Sequence, residues 1–255
     1  RKSAAGCKPT DRVLMFKLLI LQRLHGLSDE RLEYQVKDRL SFMRFLGLEL
    51  SGKVPDARTV WAFRESLKEH RLAEVLFERL NQVLAGLGVE LKSGQIIDAS
   101  FVAVPVQRNG REENALIKQG AVPLEWGQHP RRVAHKDVDA RWTKKNGRSH
   151  YGYKNHLNAD KDTKLITRQA CTEASVHDSQ VLDELVRPPQ QGGESVWADS
   201  AYRSEQQERR LADRHHHSQI HERAYRDAPL SEEQRASNQA KSRIRARVEH
   251  LFGHM

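Results

Sequence analysis

The sequence predicts two folds in series: an all-helical module over residues 1–88 and a mixed α/β domain over residues 89–255. Three observations predict it. Leucines recur at helical spacing through the first part. From residue 95 the pattern changes to short, β-branched apolar runs. Those runs then alternate with helical patterns, in the order three strands, helix, strand, helix, strand, helix, which is a mixed α/β layout.

In the first part, Leu14, Leu18, Leu21 and Leu24 share one helix face, with Thr10 or Asp11 placed as N-cap. Ser28 caps a second helix carrying Leu32, Tyr34, Val36 and Leu40. Ser41 opens a short piece that ends at Gly47. Pro55-Asp56 starts a helix through Val60, Phe63 and Leu67. A further helix carries Leu72, Val75, Leu76, Leu80, Val83 and Leu84 and closes at Gly86 or Gly88. These stripes predict a bundle core.

In the second part, strands are expected at 95–102, 150–157, 165–170 and 195–199, with a weak fifth at 218–221. Asp178 or Ser179 opens a helix through Val181 and Val186. Residues 204–214 read as helical. A final helix spans 232–252, with Ile244, Val248, Leu251 and Phe252 on one face. A long insertion, 105–149, separates the first two strands.

The charge pattern points to a partner. Of the net charge of +9, more than half sits in the insertion, which has ten Lys/Arg against five Asp/Glu. A surplus of this kind favours a polyanion, nucleic acid being the commonest. Trp126 and Trp142 lie among those basic residues, a mixture that suits phosphates and exposed bases; a solvated, mobile insertion explains it equally. Cys7 and Cys171 have no pairing or metal spacing and read as reduced cytosolic thiols. The longest apolar stretch, Leu14 to Leu21, is too short to cross a bilayer, and no signal peptide precedes it. Arg1 at the start and a helix exit at Gly253 suggest that both natural ends are missing.

Three carboxylates stand at informative places. Asp98 ends the first apolar strand, Asp199 ends the fourth, and Glu249 lies on the final helix four residues after Arg245. A carboxylate there must be at the surface, paired or metal-bound, because an unpaired buried charge is too costly. If the strands are neighbours, the two aspartates face one another and raise each other's pKa unless a cation intervenes. Magnesium suits oxygen ligands and phosphate substrates. The plainer reading has Asp98 and Asp199 capping turns and Glu249 pairing with Arg245 at i,i+4.

Longer stretches then resemble a known family. Ile96-Ile97-Asp98-Ala99-Ser100, Val196-Trp197-Ala198-Asp199-Ser200-Ala201-Tyr202, and Lys241 through Gly253 resemble the three acidic motifs of the DDE transposases of the bacterial insertion-sequence-five family. Asp139 through Gly147, His150 through His156, Val176 through Gln180, Pro55 through Thr59 and Phe63-Arg64 are similar to that family as well. The resemblance implies a ribonuclease-H-like mixed sheet with flanking helices. It implies a metal-binding catalytic triad of Asp98, Asp199 and Glu249, loaded with Mg2+ or Mn2+, for DNA strand cleavage and strand transfer. It also implies DNA partners at inverted element ends and at the target, a homodimer on that DNA, and a bacterial cytoplasm with association to the nucleoid. Arg245 matches the arginine of a tyrosine-arginine-glutamate-lysine signature that lies beside the DNA backbone in related transposases. Ser242 replaces its tyrosine, and its lysine would fall beyond Met255. A truncated, inactive DNA-binding relative is the alternative.

Further DNA contacts are expected from Arg247, Lys144 and Lys145, and from Lys154 and His156, which share a strand face with His150 that could instead be the solvent side. His177 and Asp178 either lie near the site or cap the helix after them. His215-His216-His217 reads as a solvated loop, because adjacent residues on a turn do not converge on a metal. The helical module is expected to hold element-end DNA through a helix-turn-helix.

Overall fold

A computed structural model describes residues 10–253 apart from 90, 92, 93, 108, 134, 146, 190–192, 226 and 227. Cys7 lies outside the described residues; Cys171 is a free, exposed thiol. The chain divides into two compact units, Arg1–Val89 and Glu90–Met255.

The first unit contains α1 (Arg12–His25), α2 (Asp29–Asp38), α3 (Leu40–Leu46), α4 (Ala57–Glu69) and α5 (Leu72–Gly86). Asp11, Ser28 and Asp56 cap α1, α2 and α4, their side chains accepting from the N–H groups of Leu14, Arg31 and Thr59. Each cap satisfies a donor that the first helical turn leaves without a partner. α3 starts at Leu40, so Ser41 lies inside it. Met15, Leu18, Leu21, Leu32, Val36, Phe42, Leu46 and Val60 form the core. Arg64 of α4 grips Asp29 of α2 with two bonds of 2.7 and 3.0 Å.

One expectation for this unit fails. α5 packs against α4 but buries none of its residues, and Val75 and Leu80 are more than half exposed. Leu24, Tyr34 and Leu40 are exposed too. A helical period shows that a face is apolar; it does not supply a partner for that face.

The second unit contains, in order, β1 (Gln95–Ala103), α6 (Arg111–Lys118), α7 (Pro130–Val133), β2 (Arg141–Lys145), β3 (Arg148–Asp160), β4 (Ile166–Glu173), α8 (Leu182–Leu185), β5 (Glu194–Trp197), α9 (Glu205–Asp213), β6 (His216–Ser218), α10 (Glu232–Arg245) and α11 (Glu249–Phe252). The strand order is β2-β3-β1-β5-β6, with β4 also on β3. β3 runs antiparallel to β1, β2 and β4, whereas β5 is parallel to β1 and β6. The sheet is mixed, with helices on it.

The insertion is not one long loop: it holds α6, a 3-10 turn at Leu124–Gln128, α7 and the unforeseen strand β2. Trp126 is fully buried, and its indole N–H donates to Glu113 at 2.8 Å. A ring that large can be buried because its one polar group is satisfied there. β6 lies two residues earlier than expected and contains His216, which is buried; the solvated-loop reading therefore fails for this residue. The final helix is split by a 3-10 turn at Ala246–Val248.

Alternation along β1 explains the two cores. Ile97 joins Val196, Ala198, Tyr202, Leu182, Leu185 and Leu211 on one face. Ile96 joins Ala159, Trp197 and Val248 on the other, with Ile244, Leu251 and Phe252 packed beside them. At one end of the sheet, a buried polar cluster ties the strands together. Arg187 pairs with Glu194, the Gln95 amide donates to Glu194 at 2.9 Å, and Asn158 donates to Gln95 at 2.6 Å.

Candidate active site

Register decides where the carboxylates fall. β1 and β5 are parallel neighbours, with Ile96 opposite Trp197. Two residues beyond each partner come Asp98 and Asp199. Asp98 lies inside β1 rather than at its end, and Asp199 stands two residues past β5, capping a 3-10 turn at Ser200–Tyr202. Side chains two apart in a strand share a face, so Asp98 emerges beside Ile96, on the face covered by the C-terminal helices.

Those helices carry Arg245 to Asp98 and hold Glu249 beside Arg245. Val248, three residues after Arg245 and next to Glu249, is buried under Ile96 and Trp197. Arg245 Nη1 donates to Asp98 Oδ2 at 2.5 Å, and its Nη2 lies 3.9 Å from Glu249 Oε1. Asp98 Oδ1 accepts from the Ala99 N–H at 2.9 Å. The Asp199 carboxylate accepts from the Ser200 N–H at 2.6 Å. Glu249 is mostly exposed. Both plainer roles are thus present: Asp199 caps a turn, and Arg245 and Glu249 form an i,i+4 pair.

Burial pushes the Asp98 carboxyl above the ordinary carboxylate range. Arg245 opposes that rise, and the neighbouring charge of Asp199 adds to it. Arg245 is thus the chief compensating charge for Asp98, and the repulsion from Asp199 is the smaller effect. Among the described residues, no group of three or more His, Cys, Asp or Glu side chains stands in metal-holding geometry. The donor chemistry still fits a hard divalent cation, because all three acids offer oxygen.

The basic residues divide into two kinds. Lys144 and Lys145 are exposed on β2, beside an exposed Trp142. Lys145 lies 5.8 Å from the Phe101 ring centre, and that ring stacks on His150 at 4.2 Å. Arg247 is half exposed and bonds to the Lys161 carbonyl at 3.2 Å. Lys154 and His156 correct the expectation. Lys154 is buried, with its ammonium 2.7 Å from both Asp178 and the Val176 carbonyl. His156 is fully buried between Tyr202 Oη at 3.2 Å and Thr172 Oγ1 at 2.9 Å. Neither faces solvent, because this face of β3 is covered by the turns at 178–180 and 200–202. Burial keeps the His156 ring neutral by lowering its pKa. Asp178 is the inner partner of Lys154, and the His177 ring accepts from the Ser179 N–H at the turn.

The residues adjoining this geometry match a known domain. The family model described as Transposase DDE domain covers residues 90–255. The chain belongs to the transposase DDE domain family. A second model, described as Transposase domain (DUF772), covers residues 1–66 of the chain. Among solved structures, the chain is similar to one described as the cryo-EM structure of piggyBac transposase synaptic complex with hairpin DNA. Identity is 12% and the TM-score 0.37. The match covers 86% of this chain and 44% of that one. No helix among the described residues of the chain is long and apolar enough to cross a membrane.

Sequence reasoning missed the polar partners behind the acids. Tyr202 and Thr172 hold His156; in the sequence Tyr202 figures only as the end of the motif around Asp199, with no role, and Thr172 not at all. The cluster of Gln95, Asn158, Asp160, Arg187 and Glu194 had no local signal at all: its members come from three strands and a loop.

Proposed function

We propose that this transposase cuts and joins DNA strands with a divalent cation, Mg2+ or Mn2+, held by Asp98, Asp199 and Glu249. One observation carries the reading: the parallel pairing of β1 with β5 sets two carboxylates level, and Arg245 links the first of them to the third acid. The strand order, three antiparallel strands followed by two parallel ones, supports a ribonuclease-H-like core. The motifs around each acid support membership of the insertion-sequence-five group. When bound, the cation supplies Lewis-acid stabilisation of charge on phosphodiester oxygens.

The chain's own residues do the rest. Buried Ile96, Trp197 and Val248 fix the backbones that carry the acids. The Ser200 N–H orients the Asp199 carboxylate. Arg245, with Lys144, Lys145 and Arg247, supplies positive charge for the DNA backbone, and exposed Trp142 offers a face for an unpaired base. The helical unit binds the inverted element ends, and two copies act together so that two ends are held at once.

Asp98→Asn, Asp199→Asn and Glu249→Gln test the reading. Each should lower Mg2+-dependent cleavage of an element-end DNA by about 100-fold or more, since even indirect supports of metal ligands cost roughly 10–100-fold. Undiminished cleavage by any one of them removes that residue from the metal site.

A further inference from the structure

The acidic edge contains its own cation. Arg245 makes one close bond, to Asp98 Oδ2, and its second amino group stands 3.9 Å from Glu249, beyond hydrogen-bond range. Its Nε is buried and has no hydrogen-bond partner among the described residues. A guanidinium that can make a two-point contact is therefore held here at one point. The other oxygen of Asp98 already accepts from the Ala99 N–H. The guanidinium side chain remains about a fifth exposed, so a ligand can reach it from solvent.

We propose that Arg245 and a divalent cation are alternative partners of the same Asp98 oxygen, and that a DNA phosphate draws Arg245 away so that metal loads after DNA. This rests on the metal site proposed above and names how that site is regulated. In the DNA-free protein the guanidinium neutralises Asp98 and competes with the cation for Oδ2. A phosphate offers Arg245 two parallel charge-assisted bonds in place of its single one. Asp98 then loses its bonded counter-charge beside Asp199, with only the weaker field of Lys145 left, and its affinity for a cation rises. By linkage, metal must tighten DNA binding by the same factor by which DNA tightens metal binding.

Calorimetric titration with Mn2+, with and without a short DNA duplex, tests the exchange in the wild type, Arg245→Gln, Arg245→Lys and Asp98→Asn. Without DNA, Arg245→Gln should bind Mn2+ roughly tenfold tighter than the wild type, within the usual range of site-to-site coupling. Arg245→Lys, which keeps the charge but not the fork, should fall between them. Asp98→Asn should abolish the tight event in every background. Duplex DNA should tighten Mn2+ binding to the wild type and leave Arg245→Gln unmoved.

Equal or weaker Mn2+ binding by Arg245→Gln, with Asp98-dependent binding retained, overturns the exchange and leaves the metal site standing. Absence of Asp98-dependent Mn2+ binding in the wild type and in Arg245→Gln, with and without duplex, overturns both. Wild-type affinity that ignores the duplex overturns the exchange even if the variants fail to fold.

Discussion

Lys154 shows how much depends on the surroundings of a single residue. In the sequence it is one basic residue among many on a strand next to a basic insertion. In the fold it is a buried ammonium that neutralises Asp178. Removing one partner of a buried pair leaves the other charge desolvated and typically costs about 3–5 kcal/mol. Lys154→Met should therefore lower the thermal midpoint of the second unit by roughly 10 °C. It should leave the affinity of the still-folded protein for DNA within about twofold. Scanning calorimetry and a DNA-binding isotherm at low temperature separate the effects. A large loss of DNA affinity with an unchanged midpoint would restore Lys154 to the DNA-facing set. Lys144, exposed on β2, should show the reverse pattern.

At the scale of elements, the pairing of β1 with β3 is what holds Asp98 in place, and one glycine permits it. Gly152 sits opposite Ala103 with φ near +141°, and a Cβ there would lie 2.2 Å from the Val102 carbonyl oxygen. An L side chain fits neither the backbone conformation nor the space. Gly152→Ala should destabilise the second unit by at least about 3 kcal/mol, since strained backbone alone costs about 1–3 kcal/mol and here a steric clash adds to it. Urea unfolding measures the loss; a shift below 1 kcal/mol would mean that β1 and β3 can separate locally at little cost. Element boundaries carry a second lesson. The 3-10 turn at 246–248 interrupts the final helix between Arg245 and Glu249, so the spacing of these residues no longer follows a continuous α-helical repeat.

For the whole molecule, the two units should respond differently to acid. In the second unit, burial lowers the pKa of His156 and His216 below the ordinary 6.5. As the pH falls through about 6.5, the unfolded chain takes up protons that these rings refuse, so stability declines until the pH passes below their folded values. Asp98, raised by burial, works the other way at lower pH, because it protonates more readily in the folded state. In the first unit, Asp29 is held low, chiefly by its bond from Arg64. Its contribution is complete above the ordinary carboxylate range and is lost as the pH falls through its lowered value. Urea midpoints at pH 7.5 and 5.5, resolved by hydrogen exchange of peptides from each unit, should show the second unit weakening and the first nearly unchanged. Equal weakening of both would put the acid sensitivity elsewhere.

Much of this protein could be read from local sequence. Asp11, Ser28 and Asp56 cap helices where an oxygen-bearing side chain precedes an apolar period, because capping involves residues three apart. The short apolar runs that became β1 and β5 were legible for the same reason, as were the positive balance and the motifs that mark a DDE-domain transposase. The tertiary structure alone decided what is joined across long stretches of chain. It pairs Arg245 with Asp98, 147 positions earlier, buries Lys154 and His156, and leaves Leu72, Leu76 and Leu80 of α5 exposed. Periodicity shows which face of an element is apolar. Which element meets that face, and which charges are enclosed in the process, is settled by packing of the entire chain.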